Sequence, residues 1–335
     1  MTRTMRAIVV TELGGPEVLK AQEVPLNWPR GARDVLVRLR AASLNPADIY
    51  FRRLGPYVRS DAPLILGHDG AGEIEAVGSR VTRFKPGDTV CFCNGGIGGD
   101  HGTYAEFAVV PESQLVPKAP SVDFVQAAAL PLVAITLWES LYDRARLRRG
   151  ERVLVHAGAG GTGHIGIQLA RLAGAQVATT VSSEAKAVLA AELGADLVIR
   201  YREQDFATAI SGWTKGRGLD VAVDNVGAEV MQRTFSVMAP YGRVVTLMGT
   251  PADTSDGAAY NGNLTVHNVM MLTPMWLGLK ARLRQQADRA HKAMNLVAKG
   301  NLRVVVDKVF PLSEAVAAHR YLESGQAVGK VVLAM

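Results

Sequence analysis

The sequence has few cysteines and no apolar run long enough to cross a membrane. Its only two cysteines, Cys91 and Cys93, are one residue apart on a predicted strand. That spacing is poor for a disulfide and suits a reducing compartment. The most apolar stretch, 127–138 ("AAALPLVAITLW"), is too short to span a bilayer and contains Pro131. The N-terminus lacks the apolar core of a secretion signal, so we expect a cytoplasmic protein without a membrane partner.

Basic residues outnumber acidic ones, but they are distributed along the chain and mixed with acids. Lys and Arg number 37 against 31 Asp and Glu, which gives a net charge of +6. The densest basic runs, 143–152 and 280–292, also contain acids and fit solvated helix surface better than a nucleic-acid groove. We therefore expect no nucleic-acid partner, and a phosphate-rich cofactor would use part of the surplus.

Two patterns of apolar residues divide the chain. Up to about residue 125, short apolar runs such as "DVLVRL" and "TYAEFAVV" alternate with turn residues, which is typical of an all-β unit. From about 127, strands alternate with helical patterns at 163–173 and 184–193, each followed by a glycine, Gly174 or Gly194, suited to ending a helix. The alternation predicts an α/β fold with a parallel sheet.

A glycine-rich loop is the strongest functional motif. In "VLVHAGAGGTGHIG", Gly158, Gly160 and Gly163 match G-x-G-x-x-G between a predicted strand and a helix, with Gly161 and Thr162 inside the loop. This is the context in which backbone N–H groups and a helix N-terminus bind a pyrophosphate. The alternative is a glycine-rich turn without a ligand.

The second strand of this series favours NADPH over NADH. It ends "VATTVSSEAK", with no Asp or Glu at its tip to bind a ribose 2'-hydroxyl. Ser182, Ser183 and Lys186 could instead bind a 2'-phosphate. Glu184 fits a first-turn helix residue after an N-capping Ser183. Simple capping by the serines is the alternative.

The whole chain resembles the zinc-independent quinone oxidoreductase branch of the medium-chain dehydrogenase/reductase superfamily. The resemblance is carried by "ASLNPADIY" (42–50), "PLILGHDGAGEIEAVG" (63–78), "GTYAEFAVV" (102–110), "LPLVAITLWESL" (130–141), the glycine loop, "DNVG" (224–227) and "GKVVL" (329–333). It implies a GroES-like β domain, 1–126 with 273–335, and a doubly wound Rossmann domain, 127–272.

The resemblance also argues against a catalytic zinc. Zinc-dependent relatives carry a Cys at the position of Asn45 and a third ligand near Leu132, so only His68 of the three matches. A site rebuilt from His68 with Cys91, Cys93 or His101 is the less favoured alternative. We expect no metal, and therefore an acceptor that is already electrophilic, a quinone or an α,β-unsaturated carbonyl.

The catalytic candidates lie in "NPADIYFRRLGPY". The resemblance implies that Tyr50 and Tyr57 line the substrate cleft, and Tyr57 resembles the proton-donating tyrosine of enoyl thioester reductases. One extra residue near Leu54 separates this chain from the quinone-reductase pattern. Asn45 either points its amide at the substrate or braces the turn before Pro46, and Tyr57 is either catalytic or part of the cleft wall. Asp48 is expected to brace the loop.

Further cofactor contacts follow from the resemblance alone, with ordinary strand-end positions as the alternative for each. They are Thr136, Tyr201, Asn225, Gly227, Met248, Gly249 and Lys330.

Three functions stay open at this point. The favoured one is an NADPH-dependent quinone or enone reductase; the others are a 2-enoyl thioester reductase and a non-catalytic NADPH-binding protein. The segment 263–272 ("NLTVHNVMML") resembles an edge strand through which such proteins form homodimers, or it is an internal strand.

Overall fold

The computed structural model describes residues 3–59, 63–99, 102–249 and 257–335. The chain divides into two compact units, Met1–Ile135 with Leu272–Met335 and Thr136–Met271. The sequence put the first boundary at 126/127. In the structure the helix Phe124–Ala129 packs on strands Asp34–Ser43 and Asp69–Val77 of the first unit.

The strands follow one another along the chain as β1 (Thr4–Val10), β2 (Leu19–Pro25), β3 (Asp34–Ser43), β4 (Leu64–Ile65), β5 (Asp69–Val77), β6 (Thr89–Cys93), β7 (Phe107–Pro111), β8 (Val116–Pro117), β9 (Arg152–Val155), β10 (Gln176–Val181), β11 (Leu197–Arg200), β12 (Leu219–Asp224), β13 (Met238–Thr246), β14 (Thr265–Asn268), β15 (Val306–Pro311) and β16 (Lys330–Ala334).

The α-helices are α1 (Pro46–Leu54), α2 (Phe124–Ala129), α3 (Pro131–Trp138), α4 (Gly163–Leu172), α5 (Glu184–Glu192), α6 (Phe206–Thr214), α7 (Ala228–Phe235), α8 (Gly257–Asn261), α9 (Thr273–Trp276), α10 (Lys280–Ala298) and α11 (Ala315–Glu323). Within the described ranges, no helix combines the length and the apolar character that a bilayer crossing needs.

The first unit is built on a sheet of order β15-β16-β3-β5-β6-β8, with β7 paired to β3. A second sheet has the order β2-β1-β4. The core on one face of this sheet includes residues of β3, β5 and β6: Val35, Val37, Leu39, Ile74, Val90 and Phe92. The opposite face of β3 is also buried, at Leu36. Because β16 pairs antiparallel with β3, the C-terminal tail completes this sheet.

The second unit is a six-stranded sheet of order β11-β10-β9-β12-β13-β14, in which the registered pairs are parallel. In chain order these strands run third, second, first, fourth, fifth, sixth, which is the doubly wound dinucleotide-binding topology. The central strands are apolar because helices cover both faces, and the core includes Leu154, Ala178, Ile199, Ala222 and Val244. The predicted fold class is confirmed.

The sequence predicted the helix ends correctly but overestimated the length of the strand at the sheet edge. Gly174 and Gly194 have positive φ values of 78° and 100°, as expected for residues that end helices. The segment 263–272 forms a strand only over Thr265–Asn268. This β14 is a sheet edge, as predicted, but it ends at Asn268, before the helix Thr273–Trp276, so the strand is shorter than the apolar pattern suggested.

Candidate active site

The glycine loop connects β9 to α4 in the second unit. The N–H of Ala157 donates to Thr180 Oγ1 at 3.2 Å, and the N–H of Gly158 donates to the Thr180 carbonyl at 3.0 Å. These bonds hold the start of the loop against the end of β10. The loop therefore leaves the sheet at the carboxyl ends of its strands, where doubly wound folds bind dinucleotides.

Two of the loop glycines are required by packing. A Cβ at Gly158 would lie 2.0 Å from Thr179 Oγ1, and one at Gly163 would lie 2.1 Å from the Ala157 carbonyl oxygen. Thr162 precedes α4 without forming a side-chain cap. Gly160 and Gly161 lie between these points in the turn. The loop thus brings bare backbone to the N-terminus of α4, which fits a pyrophosphate.

Asn225, at the end of β12, presents an acceptor that lacks a partner. Its Nδ2 donates to the His156 carbonyl at 2.7 Å, whereas its Oδ1 is buried and has no hydrogen bond within the part of the chain that the structure describes. A buried acceptor of this kind needs a donor. A ribose hydroxyl or a carboxamide N–H would supply one, so Asn225 fits a nicotinamide nucleoside.

The neighbouring predicted contacts follow the next strand ends. Gly227 has a φ of 84°, and a Cβ there would lie 2.8 Å from Met248 Cβ. Met248 is exposed, and Gly249 follows it. Asn225 and Gly227 follow β12 and Met248 and Gly249 follow β13, so all four lie at the carboxyl edge that carries the glycine loop.

The residues predicted to bind the adenosine end follow β10 and β11. Ser183 caps α5 by accepting from the Lys186 N–H at 3.5 Å, so the capping alternative is confirmed for this serine. Ser182 comes between β10 and this cap, and Tyr201 is half exposed directly after β11. Thr136 is different, because it is buried in α3 and its carbonyl accepts from Ser140 Oγ at 2.7 Å.

Lys330 lies in the first unit, inside a buried polar cluster. Its Nζ donates to Asn45 Oδ1 at 2.5 Å and to the Leu44 carbonyl at 3.0 Å, and it lies 3.8 Å from Asp69 Oδ2. The ammonium is thus surrounded by oxygens of its own unit. This geometry does not favour the predicted contact of Lys330 with the cofactor.

The amide of Asn45 is fully used within the same cluster. Its Nδ2 donates to Asp69 Oδ2 at 2.9 Å and to the Ser43 carbonyl at 3.3 Å, while its Oδ1 accepts from Lys330. Asn45 is also 1% exposed. An amide nitrogen has two hydrogens to donate, and both have protein acceptors. The geometry therefore favours the bracing role of Asn45 over a contact with substrate.

Asp48 braces the turn as expected. Its carboxylate accepts from the Asn45 N–H at 2.7 Å, the Gly67 N–H at 2.9 Å and the Tyr104 hydroxyl at 3.3 Å. These bonds fix the start of α1 against the segment that precedes β5.

Burial of the Asp69 and Lys330 pair shifts both groups toward their neutral forms. Desolvation raises the pKa of Asp69 to about 6, although Lys330, Asn45 and the Leu132 N–H oppose the shift. Desolvation lowers the pKa of Lys330, with Asp69 opposing. The carboxylate of Asp69 also accepts from Leu132 N at 2.8 Å. Each of the two groups opposes the shift that burial causes in the other, so the cluster pairs a cation with an anion.

His68, the single position matching the zinc-dependent pattern, is fully buried. Its Nδ1 lies 2.7 Å from the Gly95 carbonyl oxygen and so donates to it. Its Nε2 lies 3.6 Å from Asp48 Oδ1 and has no hydrogen-bond partner among the described residues. Over ranges 3–59, 63–99, 102–249 and 257–335, no three His, Cys, Asp or Glu side chains are grouped to hold a metal. His101 lies outside those ranges.

The two candidate tyrosines belong to an aromatic cluster that sequence reasoning only partly identified. Tyr57 stacks on Trp276, with ring centroids 5.2 Å apart and an interplanar angle of 29°. It also lies 6.2 Å from Tyr50 and 4.8 Å from Phe51. Tyr50 and Trp276 are 47% and 49% exposed, whereas Phe51 is buried beneath them. The first unit thus carries an open aromatic surface, Tyr50, Tyr57 and Trp276, called here the aromatic patch.

A second buried network in the first unit had no sequence signal. Arg52 Nη1 donates to His319 Nδ1 at 2.9 Å, so the ring proton of neutral His319 is on Nε2, 3.2 Å from the Tyr104 hydroxyl. Tyr104 in turn donates to Asp48. Burial lowers the pKa of His319 to about 4. The chain Arg52–His319–Tyr104–Asp48 supports α1, which carries Tyr50.

Comparison with known proteins identifies the class of this fold and site. The model of the alcohol dehydrogenase GroES-like domain matches residues 31–121, and that of the zinc-binding dehydrogenase matches residues 193–333. The first match lies within the first unit, whereas the second begins inside the second unit and continues into the C-terminal part of the first.

Full-length relatives give the family. A quinone oxidoreductase of Pseudomonas aeruginosa is 37% identical over 96% of both chains, and a 2-haloacrylate reductase of a Burkholderia species is 34% identical over 98% of both. The solved quinone oxidoreductase of Coxiella burnetii aligns with a TM-score of 0.85 at 32% identity, covering 99% of this chain and all of that one. The chain belongs to the quinone oxidoreductase-like branch of the medium-chain dehydrogenase/reductase superfamily. It is an NAD(P)-dependent oxidoreductase with a small-molecule substrate.

Proposed function

We propose that this protein is an NADPH-dependent, metal-independent reductase of quinones or α,β-unsaturated carbonyls. The observation that carries the proposal is the aromatic patch, in which Tyr57 stacks on Trp276 and Tyr50 stands beside them. Exposed aromatic faces favour a planar, conjugated acceptor because ring stacking adds about 0.5–1.5 kcal/mol beyond area burial. The names of the relatives, a quinone oxidoreductase and a 2-haloacrylate reductase, support the same acceptor classes.

A bound nicotinamide would supply the hydride, which goes to a quinone or to the β-carbon of an enone. The acceptor then needs one proton to give the hydroquinone or the saturated carbonyl. Tyr57 is our candidate donor because it carries a hydroxyl and its ring belongs to the aromatic patch. Burial, with a smaller contribution from Tyr50, raises the pKa of Tyr57, so the phenol is protonated at neutral pH and able to donate.

Metal independence is supported by the charge balance around Asn45. The carboxylate of Asp69 is already compensated by the Lys330 ammonium, and Asn45 is hydrogen-bonded to both. An acceptor that is electrophilic by conjugation needs hydrogen-bond donors more than a Lewis acid. The residues of this chain therefore suit quinones and enones better than simple alcohols or ketones.

The direct test is oxidation of NADPH in the presence of a chelator, with a small para-quinone and an unsaturated aldehyde assayed side by side. We expect turnover of at least one acceptor, unchanged by the chelator, and a ratio of the two rates that ranks quinone against double-bond reduction. Tight NADPH binding without turnover of either acceptor would contradict the proposal. It would leave thioester reduction, which an enoyl thioester would then test, or a non-catalytic binder.

The cytoplasmic location and the homodimer stay predictions. For the homodimer, the open edge of β14 is the surface we propose for pairing with a second copy. Sedimentation at equilibrium would test it.

A further inference from the structure

Arg200 lies at the carboxyl edge of the parallel sheet, where sequence reasoning assigned it no role. It is the last residue of β11, and its Cα is in register with Val181, the last residue of β10. β10 in turn neighbours β9, which leads into the glycine loop. Three adjacent strand ends therefore carry the loop, Ser182 and Arg200. In this topology the adenosine ribose of a dinucleotide lies over the second of them.

The guanidinium of Arg200 is held by two carboxylates from neighbouring turns. Its Nη1 lies 2.9 Å from Glu184 Oε2 and its Nη2 lies 2.7 Å from Glu203 Oε2. The side chains of Arg200, Glu184 and Glu203 are 39%, 70% and 58% exposed. The ion pairs are thus open to solvent and weak, so a stronger anion can displace either carboxylate.

The geometry also resolves the role of Glu184. It is the first residue of α5 and the nearest acid after β10, and it would be the candidate acceptor for the ribose 2'-hydroxyl of NADH. Its carboxylate instead pairs with Arg200. A 2'-phosphate bound to Arg200 would take the place of this carboxylate.

We propose that Arg200 is the main cation for the 2'-phosphate of NADPH, and that Glu184 competes with that phosphate for the guanidinium. The inference rests on the proposed use of NADPH. A planar guanidinium can bind a phosphate through two parallel hydrogen bonds, which the compact ammonium of a lysine cannot do. The segment after β10 supplies hydroxyls from Ser182 and Ser183, and its one cation, Lys186, lies in the first turn of α5 and carries the compact ammonium.

The test uses nucleotides that carry only the adenosine end of the cofactor. Binding of 2',5'-ADP and of 5'-AMP is measured by calorimetry for the wild type, Arg200→Gln and Glu184→Gln. We expect Arg200→Gln to weaken 2',5'-ADP at least about tenfold while leaving 5'-AMP within about twofold. We expect Glu184→Gln to tighten 2',5'-ADP by about two- to fivefold, since the competing charge is removed.

Arg171→Gln is the matched control, because Arg171 is also a partly exposed arginine in an ion pair with a carboxylate, that of Asp196. The N–H of Asp196 donates to the Val177 carbonyl near the start of β10, at the opposite end of the sheet. Arg171→Gln should change neither affinity. Equal effects of Arg200→Gln on both nucleotides, or no effect on either, would overturn the inference while leaving the proposed function standing. Failure of the wild type to bind 2',5'-ADP, with 5'-AMP bound normally, would overturn the use of NADPH itself.

Discussion

Lys330 Nζ lies 2.5 Å from Asn45 Oδ1, and this contact joins the last strand of the chain to the first turn of α1. On its other side the Asn45 amide donates to Asp69, so the asparagine lies between a buried cation and a buried anion. The three side chains form a closed unit because each charge is hydrogen-bonded and compensated. Its main effect is to fix the segment that carries Tyr50.

Removing the Lys330 ammonium should show how far the stability of the fold depends on its pairing with Asp69. We expect Lys330→Met to lower the free energy of unfolding by about 3–5 kcal/mol, because Asp69 would remain buried without its counter-charge. Denaturant unfolding followed by circular dichroism measures this directly.

A second substitution distinguishes loss of charge balance from loss of packing. With Asp69→Asn added, the Asn45 amide can rotate and accept from the new amide, so the double variant should be more stable than Lys330→Met alone. Lys20→Met, on the exposed face of β2, serves as the control. If the double variant is less stable than the single one, the charge-balance argument is wrong.

Substitution of Asn45 distinguishes a role in bracing the turn from a role in catalysis. Because its side-chain donors are used within the protein, we expect Asn45→Ala to reduce stability by about 1–3 kcal/mol, as buried Lys330 and Asp69 lose a partner. At a temperature where the variant is fully folded, kcat should fall by less than about fivefold. A drop of a hundredfold or more in fully folded protein would instead assign Asn45 a direct role in the reaction.

The sequence predicted those features that depend on near neighbours in the chain. The glycine loop, the helix ends at Gly174 and Gly194, and the cap at Ser183 each follow from a few adjacent residues, and the structure has them where expected. The parallel sheet followed from alternating strands and helices because parallel strands require such crossovers, whereas its doubly wound order was implied by the family resemblance.

Features that join distant segments could not be predicted in the same way. The contact of Lys330 with Asn45 spans 285 residues, and nothing in "GKVVL" distinguishes a buried lysine from a cofactor ligand. The stacking of Trp276 on Tyr57 was equally hidden, since a tryptophan among methionines fits an apolar pocket near the cleft and ordinary core alike. Arg200 looked like any charged strand end until its pairing with Glu184 was known.

The rate of enone reduction should depend on the hydroxyl of Tyr57. We expect Tyr57→Phe to lower kcat for an unsaturated aldehyde by about a hundredfold, the lower range of general acid catalysis. Because burial raises the pKa of this phenol above its usual range, wild-type activity should hold at neutral and mildly alkaline pH and fall only in strongly alkaline solution. The variant should lack that alkaline decline.

The matched control is Tyr241→Phe, at an exposed tyrosine of the second unit. It should leave both kcat and the pH profile unchanged. A Tyr57→Phe enzyme with wild-type kcat would show that the proton comes from elsewhere and that Tyr57 only packs in the aromatic patch.

Trp276 should discriminate between planar and non-planar acceptors. Its ring stacks on Tyr57 and is half exposed, so we expect Trp276→Leu to lower kcat/KM for a naphthoquinone by about three- to tenfold, the equivalent of one lost aromatic contact. For a small acyclic enone the change should stay below about twofold. Equal losses for both acceptors would mean that Trp276 supports the fold rather than selecting the substrate.

His319 should make the protein less stable in mild acid. Its pKa is lowered to about 4 by burial, with the Arg52 guanidinium adding to the effect, while an unfolded histidine titrates near 6.5. Between these values the unfolded state binds the extra proton, so this contribution to stability is complete above pH 6.5 and is lost as pH falls toward 4. Between the two pKa values, one such group lowers the free energy of unfolding by about 1.4 kcal/mol for each unit of pH decrease.

The measurement is the free energy of unfolding of the wild type and of His319→Gln at several pH values from 7 to 4.5. Glutamine can accept from Arg52 and donate to Tyr104 but takes no proton, so the variant should lose stability less steeply, and the two curves should converge toward acid pH. His156 and Asp69 titrate in the same window, with pKa values of about 4 and 6, but they are common to both proteins and cancel in the difference.

His291→Gln, at an exposed position on α10, controls for the substitution itself. Parallel curves for the wild type and His319→Gln would show that the Arg52–His319–Tyr104 chain tolerates a protonated imidazole, and the assigned polarity of its hydrogen bonds would then be wrong.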